Sequence, residues 1–443
     1  MRRVLVLAFH FPPNVGTGTV RVTKFCKYLP EFGWETVVVT SSFMVQADPK
    51  MLAELPAGLQ IHSTGDLFLP LQRLGIFTSP AKTAAPASAA RGTLALALAR
   101  FKRIARAVLT QTLMPDPNIV SWAPFAYRAA CRILDREKFD AVFSTSPPHS
   151  TQLVAYWLKR RYPRIPWIMD LRDLWSQADL FANMRLQYWA NCQLERQCLL
   201  KADRTLVVTE GIRELTLRKL AGTAASRIVT LTNGYDPADM EALPPVERYS
   251  KFTLTYVGAL TDQRNQNEFV PALQELAQDA AVCARLQIRL IGFLSPKVQR
   301  DLQSLCELGF VAVSPWLARL DALREMQRAD VLLLIEANSP ELTLNHSNKL
   351  FEYMATGKPI LGIVPEGEAA KVIRQENAGW VVSPDDRTRI KQAILDQLGR
   401  FEHDALAPPS LKRHYPQYHR RTLTHQLAQI LDACVEASRP PQG

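Results

Sequence analysis

The sequence predicts an α/β protein made of two Rossmann-like domains. Short apolar runs rich in β-branched residues recur along the chain, each followed by a helical pattern, as βαβ units around a parallel sheet require. These runs fall into two series, separated by a polar stretch from Asp236 to Lys251 that holds Pro237, Pro244 and Pro245. The 443 residues, 47% of them hydrophobic and 21% charged, are enough to bury two large cores and argue against disorder or a fibrous repeat.

In chain order, the first series of strands is expected at Val4–Phe9, Thr36–Thr40, Ala141–Ser144, Pro166–Asp170, Thr205–Val208 and Ile228–Leu231. The second is expected at Phe252–Val257, Gln287–Ile291, Val311–Ser314, Val331–Ile335, Pro359–Val364 and Trp380–Val382. A long segment from about Phe43 to Pro124 breaks this rhythm. Within it, Ser79–Ala90 is rich in Ala, Ser and Pro and reads as a loop. Leu94–Leu109 then places Leu94, Leu98, Phe101, Ile104 and Val108 on one helical face, with Arg100, Lys102, Arg103 and Arg106 largely elsewhere. Such a basic amphipathic helix either lies in a membrane interface or packs on its own domain. Ser410–Ser438 reads as a final helix, and its Leu423, Leu427, Ile430 and Leu431 need a surface to cover.

Charge and cysteine usage bound the function class. There are 53 Lys and Arg against 42 Asp and Glu, a net charge of +11, which attracts nucleic acid, anionic membrane or phosphorylated ligands without choosing among them. The basic residues form no recognised nucleic-acid module, so no nucleic-acid partner is expected. The seven cysteines lie far apart with no C-x-x-C pair, which reads as reduced thiols in the cytoplasm and neither a disulfide framework nor a zinc site. No run approaches the ~18–20 apolar residues of a membrane-spanning helix. The apolar start Val4–Phe9 stops at His10 and Pro12-Pro13, too early for a signal peptide. The expected protein is soluble and cytoplasmic, or sits on the inner face of a membrane without crossing it.

The loop after the first strand, Pro12 to Arg21, is the candidate phosphate loop, with Gly16, Thr17, Gly18 and Arg21 as its candidate contacts. Glycines between a strand and a helix let backbone N–H groups approach a phosphate at the helix N-terminus, though glycine also serves plain tight turns. The third glycine of the dinucleotide fingerprint is replaced by Arg21, and the second strand ends Val39-Thr40-Ser41-Ser42 without an acidic residue. A bound NAD is therefore not expected, whereas a diphosphate suits the loop. The second series opens similarly: Phe252–Val257 runs into Gly258, with Arg264 shortly beyond. An arginine there can clamp phosphate oxygens, or simply be solvated.

The most informative stretch is His346 to Ile360, with a helix expected over Asn348–Ala355, ended by Gly357 and followed by Pro359. Leu350, Phe351 and Met354 supply its apolar face, so Glu352 needs a polar partner. A ribose diol is one such partner, because an ionised carboxylate accepts from both hydroxyls. An internal pair with Lys349 is the alternative. Lys349, near the helix N-terminus, would add to a positive site for phosphate.

The chain resembles the GT-B glycosyltransferases, more narrowly family GT4 of the bacterial surface-polysaccharide type. The residues that carry the resemblance are the opening FHFPPNVGTGTVR, NGYD at Asn233–Asp236, SNKLFEYMATGKPIL, and EGEAAKVIRQENAGWVV after it. The resemblance spans Arg3 to about Asp386. It implies an acceptor-binding domain over residues 1–240, completed by a C-terminal helix within 410–443. It also implies a nucleotide-sugar-binding domain over 241–409 and a cleft between the two. Glu352 matches the second glutamate of the family's E-x7-E motif, which holds the nucleotide ribose; the first falls at Leu344. Arg264 resembles a diphosphate-binding residue, while Ala259 stands where an arginine often follows the glycine. On the nucleotide-sugar side the resemblance thus groups Glu352, Arg264, Asn348, Ser347, Gly258, Asn233 and Gly234, with Lys349 near the reacting phosphate.

For the acceptor, loops after strand C-termini line the crevice of open α/β sheets. That points to His149, Asp170 and Asp173 as candidate catalytic groups and to Arg172 and Trp175 as acceptor contacts. An ion-paired Asp170–Arg172–Asp173 loop and a helix-capping His149 are the local alternatives. The resemblance implies retaining, metal-independent transfer from a nucleoside-diphosphate sugar, with UDP the commoner carrier and no cofactor. No D-x-D motif occurs in the sequence. The acceptor expected is a saccharide or a polyprenyl-diphosphate-linked saccharide. A GT-B-fold protein that binds or epimerises nucleotide-sugar without transferring it is the alternative, kept open by Leu344.

Overall fold

The structure, a computed structural model, describes residues 1–14, 18–42, 49–67, 118–176, 185–222, 225–262, 264–265, 267–336, 338–340, 342–403 and 414–439. The basic segment 94–109, the stretch 79–90, and Gly16 and Thr17 lie outside the described residues. The chain divides into two compact units: Met1–Val208 with Arg213–Leu231 and Thr424–Gly443, and Thr209–Ile212 with Thr232–Leu423. The change of unit at Leu231/Thr232 falls upstream of residue 240 and of the proline-rich stretch.

The first unit is a seven-stranded parallel sheet. Its strands are β1 Arg2–Ala8, β2 Trp34–Ser41, β3 Gln60–Thr64, β4 Ala141–Ser146, β5 Trp167–Leu171, β6 Arg204–Val207 and β7 Ile228–Thr230. Their order is β3-β2-β1-β4-β5-β6-β7. Val4, Leu5 and Leu7 of β1 are fully buried, as a central strand covered on both faces must be. Each such side chain contributes on the order of 1.5–3 kcal/mol by leaving water. The sequence reading missed β3. Its QIHST is mostly exposed and has one aliphatic residue, because this edge strand pairs only with β2 and covers little core. From Thr424 on, the helix Arg420–Ser438 belongs with this unit. There it buries Leu427 and Leu431, and Asp432 accepts from Trp34 Nε1 at 3.1 Å and pairs with Arg2.

The second unit is a six-stranded parallel sheet of β8 Phe252–Val257, β9 Leu286–Ile291, β10 Val311–Ser314, β11 Val331–Ile335, β12 Ile360–Ile363 and β13 Gly379–Val382. Their order is β10-β9-β8-β11-β12-β13. These six strands lie within a residue or so of the sequence expectation. Leu254, Tyr256, Leu333 and Ile335 help build one buried cluster, while Leu332, Leu350, Phe351 and Met354 help build another. In each unit the strand order reverses beside the first strand, between β1 and β4 and between β8 and β11. Ligands of open parallel sheets bind outside the carboxyl ends of the strands at such switch points. Among the described residues no helix is long and apolar enough to cross a membrane.

Candidate functional site

In the second unit the switch point is lined by residues that directly follow β8 and β11. Gly258, just beyond β8, has φ +140°, a backbone conformation that side chains rarely adopt. A Cβ there would overlap the end of the Lys349 side chain. Lys349 Nζ instead lies 4.5 Å from the centroid of the Tyr256 ring and donates to Tyr256 Oη at 2.9 Å. Burial lowers the Lys349 pKa, with the Arg264 charge pushing the same way; Tyr256 and Glu336 oppose them. Glu336 follows β11 directly, is 4% exposed, and accepts from the backbone N–H of Ser347. Burial raises its pKa, and Arg264 and Lys349 pull it back. The site therefore concentrates two cations around one buried carboxylate. The sequence reading missed Glu336; a lone acid at the end of an otherwise apolar strand was the signal.

The helix Asn348–Ala355 begins where expected. Ser347 caps it by accepting from the Lys349 N–H at 3.3 Å, and Gly357, at φ +67°, ends it by donating to the Met354 carbonyl at 3.1 Å. Leu350, Phe351, Tyr353 and Met354 are buried, and Tyr353 Oη accepts from the Val257 N–H at 3.0 Å, tying the helix to β8. Among the described residues the buried Asn348 Oδ1 has no hydrogen-bond partner.

Glu352 does not pair with Lys349. Its Oε1 takes the Arg319 guanidinium, whose other arm donates to Asp239 Oδ2 at 2.8 Å. Burial disfavours the charge on Arg319, but the two carboxylates outweigh it and hold its pKa above the usual range. Arg319 was not legible as a site residue, because it lies 33 positions before Glu352 in an ordinary helix start. Leu344, at the first glutamate position of the resembled motif, is a packing residue. Its carbonyl accepts from Thr209 Oγ1 at 2.6 Å, and its side chain leaves little room beside Gly211.

Of Asn233 and Gly234, expected at the nucleotide-sugar, Gly234 is closely packed against the segment before the last helix. Tyr235 N–H donates to the Tyr418 carbonyl at 3.0 Å and Arg420 N–H to the Tyr235 carbonyl at 2.8 Å. A Cβ on Gly234 would run into that same Tyr418 carbonyl, and Asn233 is 5% exposed. NGYD thus holds the segment that precedes the last helix.

In the first unit, Arg21 is not a phosphate-loop cation and Asp170 is not an open catalytic group. Both are fully buried, and they pair through Nε to Oδ2 at 3.2 Å and Nη2 to Oδ1 at 3.0 Å. Thr145 Oγ1 also donates to Asp170 Oδ2, at 2.7 Å, and Arg21 reaches the Leu231 carbonyl at 2.9 Å. Arg172 spends its guanidinium on the Ser146, Gly18 and Pro147 carbonyls at 2.6, 2.9 and 3.3 Å. Of the alternative Asp170–Arg172–Asp173 pairing, Asp170 takes its hydrogen bonds from Arg21 instead, while the Asp170 and Asp173 charges still favour the charged Arg172 against its burial. A Cβ on Gly18 would lie 2.9 Å from Arg172 Nη2, which is why a glycine suits that position. Trp175 is 3% exposed, so it is not an open acceptor contact; it stacks on His149 at 5.0 Å and donates to Asn191 at 3.0 Å. Burial, then the Arg172 charge, pulls His149 down to about 3, against a backbone hydrogen bond with Leu174 that pushes the other way. Asp173 remains half-buried beside Arg172. His10, missed in the sequence, lies just past β1 with Nδ1 3.2 Å from Asn14 Nδ2. Burial and then Arg172 pull it down to about 4.

The glycosyl transferase 4-like domain matches residues 16–234, and the glycosyl transferases group 1 domain matches residues 251–400. No curated protein sequence matches the chain. Several solved structures share its fold. Sucrose-phosphate synthase from Thermosynechococcus elongatus superimposes with a TM-score of 0.61 at 14% identity, over 99% of this chain and 100% of that one. Anabaena HepE, solved with UDP and glucose, gives 0.60 at 14% identity, over 98% and 100%. WaaG, a glycosyltransferase involved in lipopolysaccharide biosynthesis, gives 0.56 at 14% identity, over 97% and 99%. With both domains matched in order on two Rossmann-like units, this chain belongs to the group 1 glycosyltransferases and is a glycosyltransferase of GT-B fold.

Proposed function

We propose that this glycosyltransferase moves a sugar from a nucleoside-diphosphate sugar, UDP-linked by preference, onto a saccharide or a polyprenyl-diphosphate-linked saccharide in bacterial surface-polysaccharide synthesis. The observation that carries the donor reading is the cluster beyond β8 and β11. There Lys349, Arg264 and the capped helix start at Ser347 offer positive charge for a diphosphate, and Glu352 offers a carboxylate for a ribose diol. HepE was solved with UDP-glucose, which favours uridine, and the involvement of WaaG in lipopolysaccharide synthesis favours a surface-glycan acceptor.

The reaction in this reading retains the anomeric configuration and needs neither metal nor cofactor. The bond from the anomeric carbon to the β-phosphate oxygen breaks, and a bond from the acceptor oxygen forms on the same face. The acceptor proton passes to the departing phosphate oxygen. Lys349 and Arg264 stabilise the charge that develops on that phosphate. His149 and Asp173 remain candidates for the acceptor side, with Arg172 and Trp175 shaping the loop behind them.

The test is incubation with UDP- and GDP-sugars while nucleotide release is followed with and without lipid-linked acceptor. Release that depends on acceptor supports the proposal. A Glu352→Ala variant should lose donor affinity severely, and wild-type turnover in that variant overturns the ribose assignment. Flotation with anionic vesicles at low salt tests peripheral membrane contact, which should bring the protein up with the lipid.

A further inference from the structure

We infer that Arg319 is a positioning residue that aims Glu352 at the donor ribose; the inference rests on the ribose reading of Glu352 given above. Glu352 sits on a helix whose neighbouring side chains are mostly apolar and buried, so its carboxylate would be poorly solvated alone. Arg319 supplies the missing charge from another element, at the start of the helix Arg319–Arg328. Its planar fork fixes a direction as well as a charge. One arm engages Glu352 Oε1 and the other is anchored at 2.8 Å on Asp239, in the short helix Pro237–Glu241.

Among the described residues no hydrogen bond reaches Glu352 Oε2, so one carboxylate oxygen is held while the other is left for hydroxyl donors. Three elements therefore set the aim of a single side chain: Asp239 fixes Arg319, and Arg319 fixes Glu352. A lysine at 319 could keep the charge but not the two-armed geometry. The arrangement predicts that recognition of the ribose hydroxyls depends on Arg319 although Arg319 itself need not touch the nucleotide.

The experiment is calorimetric titration of the full chain with a panel of nucleoside diphosphates, each against its 2′,3′-dideoxy counterpart. The readout is the ratio of the two affinities in wild type, Glu352→Ala, Arg319→Gln, Arg319→Lys and the Glu352→Ala/Arg319→Gln double variant. We expect Glu352→Ala to lose the preference for the ribonucleotide, and Arg319→Gln to lower it about tenfold or more, the scale of one charge-assisted hydrogen bond. Arg319→Lys should restore part of the preference, and the double variant should lose no more than Glu352→Ala alone.

A merely structural role would lower the melting temperature and weaken both ligands equally, leaving the ratio unchanged. An unchanged ratio in Arg319→Gln, with the preference lost in Glu352→Ala, overturns the role of Arg319 and leaves Glu352 standing. An unchanged ratio in Glu352→Ala, or no nucleotide binding by wild type, overturns both. Should Arg319→Gln fail to fold, Asp239→Asn frees the other arm while keeping the guanidinium. It should lower the ratio partially, and a wild-type ratio there overturns the inference.

Discussion

Replacing Gly258 with alanine tests the proposed diphosphate end of the site through a residue that itself carries no charge. The backbone at Gly258 has φ +140°, and a new Cβ would fall on Lys349 Cε and Nζ. The two costs separate. Holding alanine in that conformation costs about 1–3 kcal/mol of folding stability. The overlap is with the end of a flexible side chain, so Lys349 can swing away cheaply, but it then leaves Tyr256 Oη, now 2.9 Å off, and the mouth of the switch point.

If Lys349 holds a donor phosphate, the loss is that of a charge-assisted contact, about 1.5–3 kcal/mol, or roughly 10–150-fold in affinity at 1.4 kcal/mol per decade. Titration calorimetry with the preferred nucleoside diphosphate measures it, and urea unfolding measures the stability cost. Gly258→Ala in a Lys349→Ala background should weaken binding no further. A folded Gly258→Ala protein with wild-type affinity refutes the argument, as does full additivity of the two changes.

Three further outcomes are expected. Asp170→Asn strands the buried Arg21 charge and should cost about 3–5 kcal/mol in urea unfolding; a loss under 1 kcal/mol would contradict the buried pair. His149, held near 3 against an ordinary 6.5, stays neutral in the fold while the unfolded chain takes up a proton. Its contribution is therefore complete above pH 6.5 and falls as pH drops toward 3, by roughly 1.4 kcal/mol per unit, and His149→Phe should flatten that slope in unfolding midpoints. Glu336→Gln removes a charge that supports protonated Lys349, so nucleotide binding should fail at lower alkaline pH than in wild type. An unshifted alkaline limb between pH 7 and 10 would argue against their coupling.

Much of the fold is readable along the chain because parallel strands buried on both faces must be continuously apolar. Val331–Ile335, apolar and buried throughout, is bounded to the residue on that ground, and Phe252–Val257 is bounded by its β-branched and aromatic residues, while Val311–Ser314 is an edge strand that is legible only because its Val-Ala-Val run is apolar. β3 was not readable, since an edge strand with one neighbour and little cover is under no such constraint. The helix Asn348–Ala355 was equally plain, because its cap at Ser347 and its stop at Gly357 are local signals.

The site was legible only in part. Glu352 stood out because a carboxylate on an apolar helix demands a partner, but the sequence offered Lys349, one turn away, and the fold chose Arg319. Arg21 and Asp170, 149 positions apart, each looked open to a ligand until the sheet set β5 beside the helix that follows β1 and closed them on each other. Local pattern by itself determined strands, helix ends and the places where glycine is needed, since those depend on neighbours within a turn or two. Charge pairing was decided by tertiary structure, because a buried ion takes its partner from whichever element the packing brings within about 3 Å, however distant in the chain.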